Sequence, residues 1–118
     1  MNDRDIDGLK LKLKEFAKIR DWEQFHSPKN LSMALSVEVA ELVEHFQWVT
    51  EEQSTQLDPK KHAAVAFEMA DIFIFLLRLS DQLGIDLMEV TQRKIKLNEQ
   101  RYPADKVKGS SKKYNEYK

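Results

Sequence analysis

Cysteine is absent from this sequence, which excludes a disulfide framework, a thiolate nucleophile and any cysteine-based zinc site. Glycine and proline are scarce, three of each in 118 residues. So few turn-formers argue for long helices over many short strands. Gly8, Gly84 and Gly109 are isolated, which leaves neither a P-loop nor a dinucleotide fingerprint. A charge excess is missing too. The net charge of −1 and the pI near 6.3 give no electrostatic footprint for a nucleic-acid polymer or an anionic membrane. No uncharged apolar run approaches the roughly 20 residues that span a bilayer. Met1-Asn2-Asp3-Arg4-Asp5 contains no apolar segment of the kind that marks a leader. The expectation is therefore no membrane and a cytoplasmic location. The histidines make no H-E-x-x-H pattern, and neither Glu38, Glu41 nor Glu68 has a histidine three residues on, as a carboxylate-bridged oxidase would need. Ser27, Ser32 and Ser36 lie in no nucleophile context.

What is present is an ordinary globular balance, 42% hydrophobic and 33% charged, too apolar for a disordered chain and sufficient for one domain over residues 1–118. Residues 5–20 place Ile6, Leu9, Leu13, Phe16 and Ala17 at steps of three and four, an amphipathic helix with a lysine-rich outer face. Ser27-Pro28 reads as N-cap and N1 of a second helix running to about Trp48. Its apolar stripe is Leu35, Val39, Leu42 and Phe46, which puts Glu38 roughly 70° and Glu41 roughly 130° from the stripe centre and Glu44 in water. Thr50-Glu51-Glu52-Gln53 fits a capping box, and Asp58-Pro59 fits the start of a third helix over about 59–83, closed by Gly84. Asp86 opens a fourth helix that Pro103 stops. From about 104 the chain reads as a basic tail that would look like a loose solvated end, except that Tyr114 and Tyr117 give it something to dock with. The architecture is all-α, a four-helix bundle. The third helix is apolar almost all round, from Phe67 to Leu79, so subunit association is expected to complete the bundle as a homo-oligomer.

Two carboxylate pairs stand out: Glu38-Val39-Ala40-Glu41 and Glu68-Met69-Ala70-Asp71. On a helix, residues three apart project from one face. Asp71 and Arg78 are the only charges in the run Asp71–Leu79, so Asp71 reads as a carboxylate entering a buried helix. A buried anion costs several kcal/mol or more unless it is paired or bound to metal. Arg78 is one possible partner for it, and a solvated helix edge is the plain alternative for Glu38 and Glu41. If the two helices pack, four carboxylates form a cluster that must take up protons or a cation. Oxygen ligands without histidine or thiolate favour Mg²⁺ or Mn²⁺ over Zn²⁺, with positions left for water and substrate phosphates. Lys94, Asn98 and Arg101 follow one face of the fourth helix, with Tyr102 next and Lys112 and Lys113 in the tail. They read either as an exposed basic face or as phosphate contacts. Trp22, Phe25 and Trp48 could stack a base or belong to the core. His26 reads in isolation as a loop or capping residue.

Taken together, Glu38-x-x-Glu41 and Glu68-x-x-Asp71 resemble the metal motif of the MazG-like, all-α nucleoside triphosphate pyrophosphohydrolases. Four flanking segments narrow the likeness: Arg20-Asp21-Trp22-Glu23-Gln24-Phe25-His26, Phe46-Gln47-Trp48, Asn98-x-x-Arg101-Tyr102-Pro103 and Ser110-Ser111-Lys112-Lys113-Tyr114. They are similar to the dCTP pyrophosphatase branch and its compact bacterial relatives, and the resemblance covers about residues 6 to 115.

The resemblance implies hydrolysis of a (deoxy)nucleoside triphosphate between its α- and β-phosphates, giving monophosphate and pyrophosphate. It implies Mg²⁺ held by Glu38, Glu41, Glu68 and Asp71, with Glu38 and Glu41 as the catalytic carboxylates around an attacking water. Trp22 and Trp48 match positions that enclose the base, and Asn98 and Tyr102 match positions near the sugar or phosphates. Lys94, Arg101 and Lys112 are electrostatic candidates for phosphate contacts, and His26 completes the substrate-binding set. The substrate expectation is dCTP or a modified dCTP, and the role is removal of unwanted nucleotides. Dimers, or dimers of dimers, are the assembly the family implies. The rivals are another specificity among all-α pyrophosphohydrolases, dUTPase-like or directed at phosphoribosyl-ATP, and a non-catalytic helical oligomer that binds nucleotide or metal.

Overall fold

Five short polar side chains punctuate the chain, and each opens a helix. In the computed structural model, which describes residues 4–109, Asp5, Ser27, Thr50, Asp58 and Asp86 each accept a hydrogen bond from the backbone N–H three residues on. Each pairs one of the donors that a helix start leaves unsatisfied. The helices are α1 (Ile6–Ile19), α2 (Pro28–Glu44), α3 (Glu51–Ser54), α4 (Pro59–Gln82), α5 (Leu87–Arg101) and α6 (Ala104–Val107), with a 3-10 turn at Glu23–Phe25 between α1 and α2. No strand occurs among the described residues, so the all-α expectation holds. Pro28 and Pro59 sit in the first turns of α2 and α4, where a missing N–H costs nothing.

Two boundaries differ from the sequence expectation. Helix α2 stops at Glu44, because His45 and Phe46 bond back three residues, to Leu42 and Val43. Those tighter turns release the chain in time for Thr50 to adopt the extended conformation its capping box with Gln53 requires. Pro103 does stop α5, but it also stands at the N-cap of α6, so the segment after it starts as a helical turn. Tyr114 and Tyr117 lie outside the described residues.

The contacts divide the chain between Ile85 and Asp86 into two compact units. In the first, α4 is the central element, with α1 and α2 packed on it. Ala17 from α1, Leu31 from α2, and Val65 and Leu77 from α4 are its buried apolar side chains. Lys10 Nζ ties α1 to the end of α4 by donating to the Ile85 carbonyl at 3.1 Å. The second unit carries α5 and α6; α5 is exposed over most of its length, with Arg93 and Glu89 3.7 Å apart along it. Among the described residues no helix is long and apolar enough to cross a membrane.

Candidate metal and nucleotide site

The inward face of α2 shares Leu35 and Leu42 with the stripe read from hydrophobicity but departs from it at Val39. Leu31 is buried and Leu35, Glu38, Glu41 and Leu42 are half-buried, whereas Val39, expected inward, is 42% exposed. Glu38 thus lies within the inward face and not at its edge. On α4 the matching face runs through Val65, Glu68 and Ile72. Packing α2 on α4 therefore drives glutamates of both helices into one interface. Glu38, Glu41 and Glu68 each offer a carboxylate oxygen, and these oxygens lie within 4.8 Å of one another. Glu44 is exposed, as expected.

The electrostatics of this cluster are unfavourable without a counter-charge. Glu38 Oε2 and Glu68 Oε2 are buried and have no hydrogen-bond partner. Two carboxylates can share a hydrogen bond only when one keeps a proton, so full ionisation leaves these oxygens without donors. Burial, hydrogen bonding with Glu68 and Glu41, and their negative charges push Glu38 from 4.5 up to about 7. Glu68 is also raised, chiefly by burial. Hydrogen bonding with Glu41 and the charges of Glu41 and Asp71 add to this, while a hydrogen bond with Glu38 opposes it. Orphaned, buried, all-oxygen donors from two helices are what a hard divalent cation requires, and this donor set fits one.

Asp71 departs from expectation. It is exposed and stands outside the group of three, although its charge reaches Glu68. Nor does it pair with Arg78, which lies two turns, about 10 Å, further along α4. The buried charge in that apolar run is Arg78 itself, 4% exposed, with Nη1 3.8 Å from Asp81 and Nη2 3.3 Å from His26 Nδ1.

A second feature lies further along α4. Helix α1 ends in a Schellman turn: Asp21 N–H bonds to Lys18 O, Trp22 N–H bonds to Ala17 O, and Asp21 adopts a left-handed φ of 56°. This turn folds Trp22 back onto its own helix, where its ring meets that of Phe16 edge-on at 5.8 Å. Arg20 stacks on Phe16 at 3.5 Å and donates to the Phe16 carbonyl. The result is an apolar cavity of about 240 Å³, walled by Leu13, Phe16 and Trp22 on one side of the chain and by Ile74 and Phe75 of α4. His26 and Arg78 supply its polar edge. Burial, and secondarily the Arg78 charge, hold His26 below the usual histidine range, with Glu23 pulling the other way.

The structure thus brings Glu38, Glu41 and Glu68 together and, separately, Trp22 with His26. Trp48 sits after α2, 87% exposed, and does not line that cavity. Phe25 is 59% exposed and does not line it either. Lys94 and Asn98 are exposed on α5, and Arg101 and Tyr102 are half-buried at its end. Lys94 lines an open hollow of about 480 Å³ on that helix with Arg93 and Lys96. Lys112 and Lys113 lie outside the described residues. The feature that sequence reasoning missed is the Arg78–His26 contact. Its signal was an arginine standing as the one charge in the apolar run Ile72–Leu79.

A family model described as the MazG-like family matches residues 33–117. The dCTP pyrophosphatase 1 of Homo sapiens is 45% identical over 104 residues, an alignment that takes in 86% of this chain and 61% of that protein. The Mus musculus protein of the same name is 44% identical over the same length. The chain therefore spans about three-fifths of the length of the curated relatives it matches. Among solved structures, a pyrophosphatase from Archaeoglobus fulgidus DSM 4304 is 38% identical. It superposes with a TM-score of 0.79, covering 83% of this chain and 92% of that one.

Proposed function

The chain belongs to the MazG-like family, and from that premise we propose that it is a nucleoside triphosphate pyrophosphohydrolase acting on dCTP or a modified dCTP. The observation that carries this reading is the convergence of Glu38, Glu41 and Glu68 with two buried oxygens left without partners. These three residues would hold Mg²⁺, or Mn²⁺ by the same hard-oxygen chemistry, with Asp71 joining from the exposed edge. When bound, such a cation neutralises phosphate charge and makes a bound water more acidic.

The chain's own residues account for the rest. A water oxygen attacks the α-phosphorus and its proton passes to an ionised carboxylate of the Glu38–Glu41 pair. The bond from the α-phosphorus to the bridging oxygen breaks, and pyrophosphate leaves with that electron pair. Phe75 lies seven residues beyond Glu68, about 10 Å along α4 and on nearly the same face, so the Trp22 cavity stands one nucleoside away from the carboxylates. Trp22 and His26 take the base there, and Trp48, which does not line the cavity in the single chain, would enclose it only by closing over the bound base. Asn98 and Tyr102 are proposed for sugar or phosphate, and Lys94, Arg101 and Lys112 for phosphate, on the charge and hydrogen-bonding capacity of their side chains alone. The family match runs through both units, in keeping with one functional domain over residues 1–118. A homo-oligomer, dimer or dimer of dimers, acting in the cytoplasm to clear unwanted nucleotides completes the reading.

The test is product identification with Mg²⁺ across canonical and cytosine-modified dNTPs, with EDTA as control. The expected products are nucleoside monophosphate and pyrophosphate, lost with EDTA. Glu41→Gln should lower kcat by roughly 100-fold or more while helix content stays intact, since an amide is no base and a poor cation ligand. Binding without turnover by the folded wild type would favour a non-catalytic nucleotide-binding oligomer. Release of single phosphate would mean that attack falls elsewhere on the chain of phosphates.

A further inference from the structure

Arginine has no acceptor atom, so wherever it meets an imidazole nitrogen that nitrogen must accept. Arg78 Nη2 meets His26 Nδ1 at 3.3 Å. The guanidinium is buried, its Nε has no hydrogen-bond partner, and Asp81 stands 3.8 Å from Nη1 on the same helix. We propose that Arg78 is a positioning residue that locks His26 as a neutral imidazole carrying its proton on Nε2, so that the cavity recognises a planar ring by its hydrogen-bond acceptors.

The consequence follows from counting polar side chains on the cavity wall. They are Trp22, His26 and Arg78. The indole N–H and the guanidinium only donate, and with Nδ1 engaged the imidazole also has only a donor left. A donor-only edge in an apolar wall favours a ring that presents adjacent acceptors and disfavours one that presents an N–H, because two facing donors leave both unpaired in a dry site. Cytosine offers N3 and O2 as neighbouring acceptors, whereas uracil and thymine place an N–H at N3. Arg78 would therefore set the choice between pyrimidines without belonging to the chemical step. This deepens the nucleotide reading above and rests on it for the ring's identity, but the state of His26 does not depend on it.

The groups that face His26 support the neutral state. From α4 these are Arg78, with Asp81 behind it, and from the 3-10 turn Glu23, the one group that favours protonation. Burial and the neighbouring cation outweigh it.

The test uses the wild-type chain first. Nitrogen-15 NMR of the imidazoles at neutral pH is expected to show His26 neutral with its proton on Nε2; a proton on Nδ1, or an imidazolium, would overturn the lock. Titration with dCMP and dUMP, followed on the His26 signals, needs no turnover and is expected to give at least about tenfold tighter binding of dCMP, the worth of one unpaired donor. In Arg78→Gln, whose amide can accept as well as donate, His26 should gain Nδ1–H character and the dCMP preference should shrink toward parity. Equal affinity for both rings in the wild type, or binding of neither, overturns the recognition proposal. Absence of hydrolysis alongside the expected tautomer and preference would count against the proposed reaction alone.

Discussion

At the residue scale the informative group is Glu38. Its carboxyl is pushed from 4.5 up to about 7, so between those values the folded chain keeps a proton that the unfolded chain has released. Stability then falls as pH rises through this window and levels off above the folded pKa. His26 opposes this in part, because a depressed histidine stabilises above its ordinary value of 6.5 and loses that contribution as pH falls. Glu38→Gln separates the two by removing the first. With EDTA present, thermal melts of the wild type should decline between about pH 4.5 and 7, and the Gln variant should show a shallower decline, the remainder being the share of Glu68, which is raised too. Added Mg²⁺ should raise Tm more at pH 8 than at pH 5, because a cation binds the ionised carboxylates and competes with the proton. An equal Mg²⁺ shift at both pH values would sink the assignment of these carboxylates as ligands. The pairing of Glu38 and Glu41 with Glu68 was legible as spacing. The inward turn of Glu38 was not, because a helix with apolar groups on several sides has no unique stripe and a charged site breaks the pattern that defines one.

At the element scale, two helices end with the same hydrogen-bond pattern on different residues. Gly84 closes α4 at φ 65°, with Gly84 N–H on Asp81 O and Ile85 N–H on Ser80 O. Asp21 closes α1 at φ 56° despite its Cβ, helped by Gln24, whose side-chain amide donates to both the Asp21 carbonyl and its carboxylate. Nothing lies within 4 Å of a Cβ built at Gly84, so Gly84→Ala tests backbone strain alone. It should cost about 1 kcal/mol in urea unfolding. Asp21→Val should cost about 1–2 kcal/mol, the left-handed penalty for a residue unable to bond locally, whereas Asp21→Asn should be nearly neutral. Unchanged stability in Asp21→Val would mean that the turn does not seat Trp22 as described. Helix starts were readable because a cap is a local bond between residues three apart. Gly84 was readable as an end for the same reason. The α1 turn was not, since aspartate caps, turns and surfaces alike, and it takes Trp22 packing back on Phe16 together with the Gln24 bonds to select the left-handed state.

At the scale of the whole molecule, the first unit buries few apolar side chains and exposes many. Four apolar residues are buried among those described, whereas on α4 Phe67 is 74% exposed, Met69 58% and Phe73 40%, and on α2 Met33, Val37 and Val43 each exceed half. Phe67, Ala70, Phe73 and Ile74 follow steps of three and four, one continuous stripe centred about 150° from the glutamate at 68, on the far side of α4. A stripe of that kind marks an interaction face more often than a solvated one. Its proposed occupant is a second copy, because the homo-oligomer proposed above needs an apolar face and this stripe leaves the carboxylate face of α4 free. Phe67→Asp discriminates sharply. In a solitary chain an exposed phenylalanine replaced by aspartate leaves mass and Tm essentially unchanged. In an oligomer the same change buries an unpaired charge, which costs far more than the lost contact. Light scattering should therefore find the wild type at a multiple of 13.9 kDa and the variant at or near 13.9 kDa, with a lower Tm. The Glu38–Glu41–Glu68 cluster lies within one chain, so residual Mg²⁺ stabilisation in the dissociated variant would show that assembly completes the nucleotide site and not the cation site. Equal mass for both proteins would remove Phe67 from the interface.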